Sequence, residues 1–142
     1  MRELHFQDDQ WEIHSLSGLT CSRLFGLSEF GDERKPQIVF LELSDGSWHR
    51  FYLSAFLGFW NQTSEEDLDT IINDDFEGYK SINYLSKFHL SNDILQTVLC
   101  EREATGTTIT LRFQKGCLTL SESDNTDPHC ISIIEFEPTE SS

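Results

Sequence analysis

The chain has 142 residues, of which 25 are Asp or Glu and 10 are Lys or Arg, so its formal net charge at pH 7 is -15. A surface this negative repels nucleic acid and anionic membranes and attracts basic partners, so we expect binding to neither nucleic acid nor membrane. The length is typical of a single domain, residues 1–142. The 11 Phe and 3 Trp exclude a disordered acidic tail, which lacks such aromatic residues.

The N-terminal ten residues, MRELHFQDDQ, contain no apolar run of the kind that a signal peptide carries. The longest apolar run, residues 55–60, is interrupted by Gly58 and is too short to span a membrane. We therefore predict a cytoplasmic protein with free thiols and without the CxxC spacing of a zinc site. The cysteines are Cys21, Cys100, Cys117 and Cys130.

Alternation of apolar and polar residues predicts a first β-hairpin. Residues 38–43 read IVFLEL and residues 47–53 read SWHRFYL, on either side of Asp45-Gly46. Asp-Gly between two β-rich runs indicates a hairpin, because glycine accepts the positive φ of the turn. A further strand, residues 19–27, precedes this hairpin and would extend it to a three-stranded meander.

The same order of elements recurs in the second half of the chain. Residues 108–113 and 117–123 are predicted to form the two strands of a second hairpin. Another predicted strand, residues 94–101, precedes this hairpin. The recurrence suggests an internal repeat over residues 19–54 and 94–121. The alternative is that hairpins simply recur, as they do in any antiparallel sheet protein.

Between the two meanders, Ser64 followed by three acidic residues predicts the start of a helix. A serine can cap the helix, and carboxylates in the first turn favour the positive end of its dipole. Leu68, Ile71 and Ile72 would share one face, and we expect the helix to end near Asn73. Residues 79–90 fit either a helix or a strand.

Together with a last strand at residues 130–136, these elements predict a mainly β fold. We expect an antiparallel sandwich or a partly closed barrel of about seven strands, with one or two short helices from the central segment. An α+β fold is the alternative.

No motif in the chain indicates catalysis, a cofactor or a metal. GxSxG, GxxxxGK, GxGxxG and HExxH are absent. A calcium loop fails because the sixth residue from Asp67 is Ile72 rather than glycine. The carboxylates of residues 65–77 are therefore interpreted as a solvated face rather than as catalytic acids. A Cys–His pair that meets only in the folded protein stays open.

The segment before this acidic stretch is rich in aromatic residues. They exceed what one strand face can bury, so we expect Trp48, Tyr52 or Trp60 to reach the surface beside the acids, as in an interface for a basic partner. His49 and Arg50 are expected to be an exposed pair. The predicted partner-binding residues are Trp48, Tyr52, Trp60, Glu65, Glu66, Asp67, Asp69, Asp74, Asp75 and Glu77.

By its size, its charge, its lack of catalytic motifs and its acidic runs at residues 65–77 and 122–127, the chain resembles small acidic bacterial toxin-immunity proteins as a class. The resemblance implies an inhibitory protein that binds a basic partner, such as a toxin nuclease, and blocks it stoichiometrically. Two other hypotheses stay open. One is a small-ligand binding module with an aromatic-lined cavity near Trp60, and the other is a hydrolase that uses carboxylates or a Cys–His pair.

Overall fold

The computed structural model describes residues 4–103, 106–122 and 132–139. The strands are β1 (His5–Asp8), β2 (Trp11–Ile13), β3 (Cys21–Ser28), β4 (Ile38–Leu43), β5 (Trp48–Ser54), β6 (Leu57–Thr63), β7 (Lys80–Asn83), β8 (Leu95–Glu103), β9 (Gly106–Phe113), β10 (Gly116–Glu122) and β11 (Ser132–Pro138). The helices are α1 (Glu65–Asp75) and α2 (Tyr84–Lys87). Within the described ranges, no helix is both long enough and apolar enough to cross a membrane.

The strands form two antiparallel sheets that pack face to face as a sandwich, which confirms the predicted fold class. Sheet A has the order β1-β6-β5-β4-β3-β7, and sheet B has the order β11-β10-β9-β8-β2. The two predicted meanders are both present, one in each sheet, and each continues into a fourth strand. The internal repeat itself stays a prediction.

The described residues contain eleven strands, where about seven were expected. The additional strands are short or irregular in sequence. β1 and β2 have four and three residues, and β6 reads LGFWNQT, whose glycine and polar end hide its alternation. Residues 79–90 contain both predicted alternatives, because β7 runs directly into α2.

Sheet A is buried on both faces, because its central strand β4 has apolar side chains on both faces. Val39 and Leu41 pack in the core between the sheets, whereas Ile38 and Phe40 pack in a second apolar cluster on the outer face. Leu68 of α1 completes that outer cluster, so the helix lies over sheet A as a third layer.

The start of α1 is as predicted, and its end lies two residues beyond the expected Asn73. The Ser64 side chain caps the helix by accepting a hydrogen bond from the Asp67 amide at 3.1 Å. Leu68 is buried, and Ile71 and Ile72 are partly buried against the outer cluster. The predicted apolar face of the helix is therefore the face that covers the sheet.

The edges of the sandwich are joined by contacts between the sheets. On one side, the Trp11 indole donates to the Gly58 carbonyl at 3.0 Å. On the other side, the amides of Ser132 and Ile134 on β11 donate to carbonyls of the β3–β4 loop at 3.3 and 2.9 Å. The loop thereby covers a strand edge that would otherwise present unpaired backbone groups.

Gly58 generates the first testable prediction, because a Cβ at this position would collide with the sulfur of Cys100 on the facing sheet. We expect Gly58→Ala to lower the free energy of unfolding in urea by about 1–3 kcal/mol through overpacking. In a Cys100→Ala background the same substitution should cost roughly half as much, because the sulfur is gone. An equal loss in both backgrounds would show that the Gly58–Cys100 approach does not constrain the sheet spacing.

Candidate functional site

Helix α1 and the two residues after it present a dense set of carboxylates to solvent. All seven acidic side chains of residues 65–77 are exposed, as predicted, while Leu68 is only 4% exposed. We call this set the acidic surface. It consists of Glu65, Glu66, Asp67, Asp69, Asp74, Asp75 and Glu77.

The acidic surface forms no ion pair in the described part of the chain. The sequence contains no Lys or Arg between Arg50 and Lys80. None of the ion pairs among the described residues uses a carboxylate of the acidic surface; those pairs are His14–Glu12, Arg34–Glu135, Lys87–Glu33 and Arg102–Asp9. The negative charge of the acidic surface is therefore not neutralised by ion pairs, and it would attract a positively charged surface.

The expectation that tryptophans reach the surface beside these acids is wrong. Trp48 is 2% exposed and Trp60 is 0% exposed. Trp48 packs beneath α1 in the outer cluster, edge-on to Phe25 at 6.1 Å between ring centroids. Trp60 points the other way, into the core between the sheets. Sheet A has two buried faces, whereas exposed tryptophans are expected only for a sheet with one buried face.

Tyr52 is half-buried and packs against the outer cluster under α1. Its ring is stacked on Phe59 of the neighbouring strand, with centroids 4.6 Å apart and planes 4° from parallel. Of the three predicted aromatic residues, Tyr52 alone is only partly buried.

The space beside Trp60, where an aromatic-lined cavity was hypothesised, is filled by other side chains. Phe51 is stacked on its ring at 5.1 Å, Trp11 meets it edge-on at 6.0 Å, and His49 lies against it at 5.3 Å. These rings form part of the sandwich core, so a ligand would have to displace them.

His49 is buried rather than exposed, with 0% of its surface accessible. Its Nδ1 atom accepts a hydrogen bond from the Trp60 indole at 3.1 Å, and its Nε2 atom lies 2.8 Å from the Ser47 hydroxyl. Because an indole nitrogen can only donate, the neutral ring carries its proton on Nε2 and donates it to Ser47. The Ser47 hydroxyl in turn donates to the Asp45 carboxylate at 2.6 Å.

This chain of hydrogen bonds contains Asp, Ser and His but has the wrong order for a nucleophilic triad. A catalytic serine gives its proton to a histidine that a carboxylate orients. Here the Ser47 hydroxyl lies between His49 and Asp45, and the other ring nitrogen of His49 accepts a hydrogen bond from Trp60. Burial also lowers the pKa of His49 to about 4, which the nearby Asp45 carboxylate only partly opposes. The arrangement fixes the β4–β5 turn.

The described cysteines are free, as predicted, and two of them are unsuited to nucleophilic chemistry. Burial, reinforced by Asp93, raises the pKa of Cys21 to about 12. Burial, reinforced by Asp9, raises the pKa of Cys100 to about 12 as well. Both thiols therefore stay protonated at neutral pH. Cys117 is free and partly buried, and Cys130 lies outside the described residues, as does the acidic run after Glu122.

Comparison of the chain with protein-family models, with curated proteins and with solved structures found no match. In the ranges that the structure covers, no group of three or more His, Cys, Asp or Glu side chains is arranged to hold a metal ion. The charges and contacts of the described residues therefore carry the functional proposal.

The buried, neutral His49 generates the second prediction. Its pKa is about 6.5 in the unfolded chain and about 4 in the folded protein, so the unfolded chain binds more protons between these pH values and stability falls as the pH falls. We expect this group alone to lower the free energy of unfolding by about 2 kcal/mol between pH 7 and about pH 5.

Urea unfolding at the two pH values measures this loss in three proteins. His49→Gln should remove most of the pH-dependent loss, although it is less stable at pH 7. His14→Gln is the matched control, because the His14 side chain is 71% exposed and should leave the loss unchanged. A His49→Gln variant with the full wild-type loss would show that His49 is not held neutral by the fold.

Proposed function

We propose that the protein binds a basic protein partner through the acidic surface and inhibits that partner by covering it. The observation that carries the proposal is that the seven exposed carboxylates of the acidic surface have no ion-pair partner among the described residues. A net charge of -15 also exceeds the magnitude of about 2–8 that keeps a small domain soluble. Such excess charge costs stability through self-repulsion.

The packing of α1 supports a docking role for these charges. Leu68 is buried in the outer cluster, with Ile71 and Ile72 partly buried beside it, so the helix is fixed on sheet A. Carboxylates on a fixed helix lose less conformational freedom on binding than carboxylates on a flexible tail. The acidic surface is therefore preorganised for a complementary positive surface.

The resemblance to toxin-immunity proteins supports a toxin as the partner, and a nuclease fits best on chemical grounds. A nuclease binds phosphates through positively charged side chains. An acidic helix laid on that surface would occupy the same charges and repel nucleic acid. Inhibition would then reach completion at one inhibitor per toxin molecule.

The third prediction tests the acidic surface with a matched pair of variants. The test variant combines Glu65→Gln, Glu66→Gln, Asp69→Asn and Asp74→Asn. The control variant changes Glu12, Glu101, Glu103 and Glu137 to Gln; these four are exposed residues on strands of sheet B. Both variants lose four negative charges from different places; the control also removes the exposed His14–Glu12 pair, and such an exposed pair contributes little to stability.

A basic partner captured from the native cell is identified, purified and mixed with each variant in stopped-flow measurements. We expect the test variant to associate about tenfold more slowly than the wild type and the control variant only about twofold more slowly. Salt should slow association while changing dissociation less. If the partner is a nuclease, its activity should also fall to zero at equimolar inhibitor. Equal slowing by both variants, or association indifferent to salt, would contradict the proposal.

A further inference from the structure

A polar cleft of about 430 Å³ lies between the outer face of sheet A and the first half of α1. Three side chains on neighbouring strands form its floor. Arg50 on β5 is directly opposite Asn61 on β6, which is directly opposite His5 on β1. Directly opposed residues point to the same face of a sheet, so these side chains form one row across the cleft.

Helix α1 supplies the roof of the cleft. Asp67, Thr70 and Ile71 line it, and residues spaced by three and four positions share one face of a helix. The cleft therefore has a guanidinium in its floor and a carboxylate in its roof. Its volume falls in the usual range for small-molecule sites, about 300–1,000 Å³.

Two atoms of the floor lack the hydrogen bonds that buried polar groups ordinarily make. Asn61 is only 9% exposed, and its Oδ1 atom accepts no hydrogen bond. The Nε atom of Arg50 is also buried and donates none. Arg50 takes part in no ion pair among the described residues, although the chain contains 25 acidic residues. The floor thus contains an unused donor beside an unused acceptor, and a ligand reaches either atom only when neighbouring side chains shift.

The charges around the cleft favour a ligand that carries both a negative and a positive group. A guanidinium binds a carboxylate through paired hydrogen bonds, while the Asn61 oxygen and the Asp67 carboxylate can accept from an ammonium group. A free anion would be opposed by Asp67 and by the net charge of -15. A zwitterion has no net charge to be repelled. We propose that this cleft binds a free α-amino acid, with its carboxylate on Arg50 and its ammonium group between Asn61 and Asp67.

The fourth prediction is tested by titrating the full chain with each of the twenty common amino acids in a calorimeter. We expect at least one to bind with a Kd below about 1 mM. Its N-acetyl derivative lacks the ammonium group and its amide lacks the carboxylate, so each should bind at least about tenfold more weakly. Acetate and inorganic phosphate serve as probes for a simple anion site.

Three variants locate the binding. Arg50→Gln and Asn61→Leu should each lower the affinity for the tightest-binding amino acid by about tenfold or more. Arg50→Lys keeps the positive charge, so it disturbs folding less than Arg50→Gln. It should still weaken binding, because a lysine lacks the paired donors of a guanidinium. Arg112→Gln, at an exposed position outside the cleft, is the control and should bind like the wild type. Thermal unfolding confirms that each variant is folded.

The proposal is overturned if none of the amino acids binds, if acetate or phosphate binds as tightly as the best amino acid, or if folded Arg50 and Asn61 variants retain wild-type affinity. This experiment is independent of the partner experiment above. The charge-removal variant of that experiment leaves Asp67 and the floor of the cleft unchanged, so either proposal can fail without the other.

Discussion

Sheet A must be covered on both of its faces, and the rest of the structure follows from that constraint. Its central strand β4 reads IVFLEL, and five of its six residues are buried. A strand with apolar side chains on both faces exposes apolar area unless a layer packs on each side. Sheet B supplies one layer and α1 the other. A helix on the outer face is thus as necessary to the fold as the second sheet.

This constraint also determines the direction in which the charges of α1 point. The helix turns Leu68 towards the sheet, and its six carboxylates are exposed around the rest of the helix. Since the sequence has no Lys or Arg from residue 51 to residue 79, these carboxylates cannot be neutralised by their neighbours along the chain. The same helix also covers the polar row that contains Arg50 and Asn61, which creates the cleft. The acidic surface and the cleft therefore depend on the same helix, and Asp67 belongs to both.

The sequence was sufficient to predict the features that depend on local pattern. The strands around Asp45-Gly46, the Ser64 cap and the exposure of the acidic residues each follow from alternation, capping or charge density within a few residues. Their observed positions agree with the prediction to within about two residues, which is the usual uncertainty of element ends.

The features that failed or were missed depend on pairing between distant parts of the chain. Trp48 and Trp60 are buried because sheet A has a helix on one face and a sheet on the other, which no single strand reveals. His49 is buried because its partner is Trp60, eleven residues away on the next strand. The row of His5, Asn61 and Arg50 exists only because β1 pairs with β6, and that register has no local signal.

The central claim is that the exposed carboxylates of α1 are the docking surface for a basic partner. Carbodiimide labelling of carboxylates, read by mass spectrometry with and without the purified partner, tests it most directly. Our account predicts that Glu65, Glu66, Asp69 and Asp74 are labelled in the free protein and protected in the complex, while Glu101, Glu103 and Glu137 on sheet B are labelled equally in both. Protection on sheet B with unchanged labelling of α1 would contradict it.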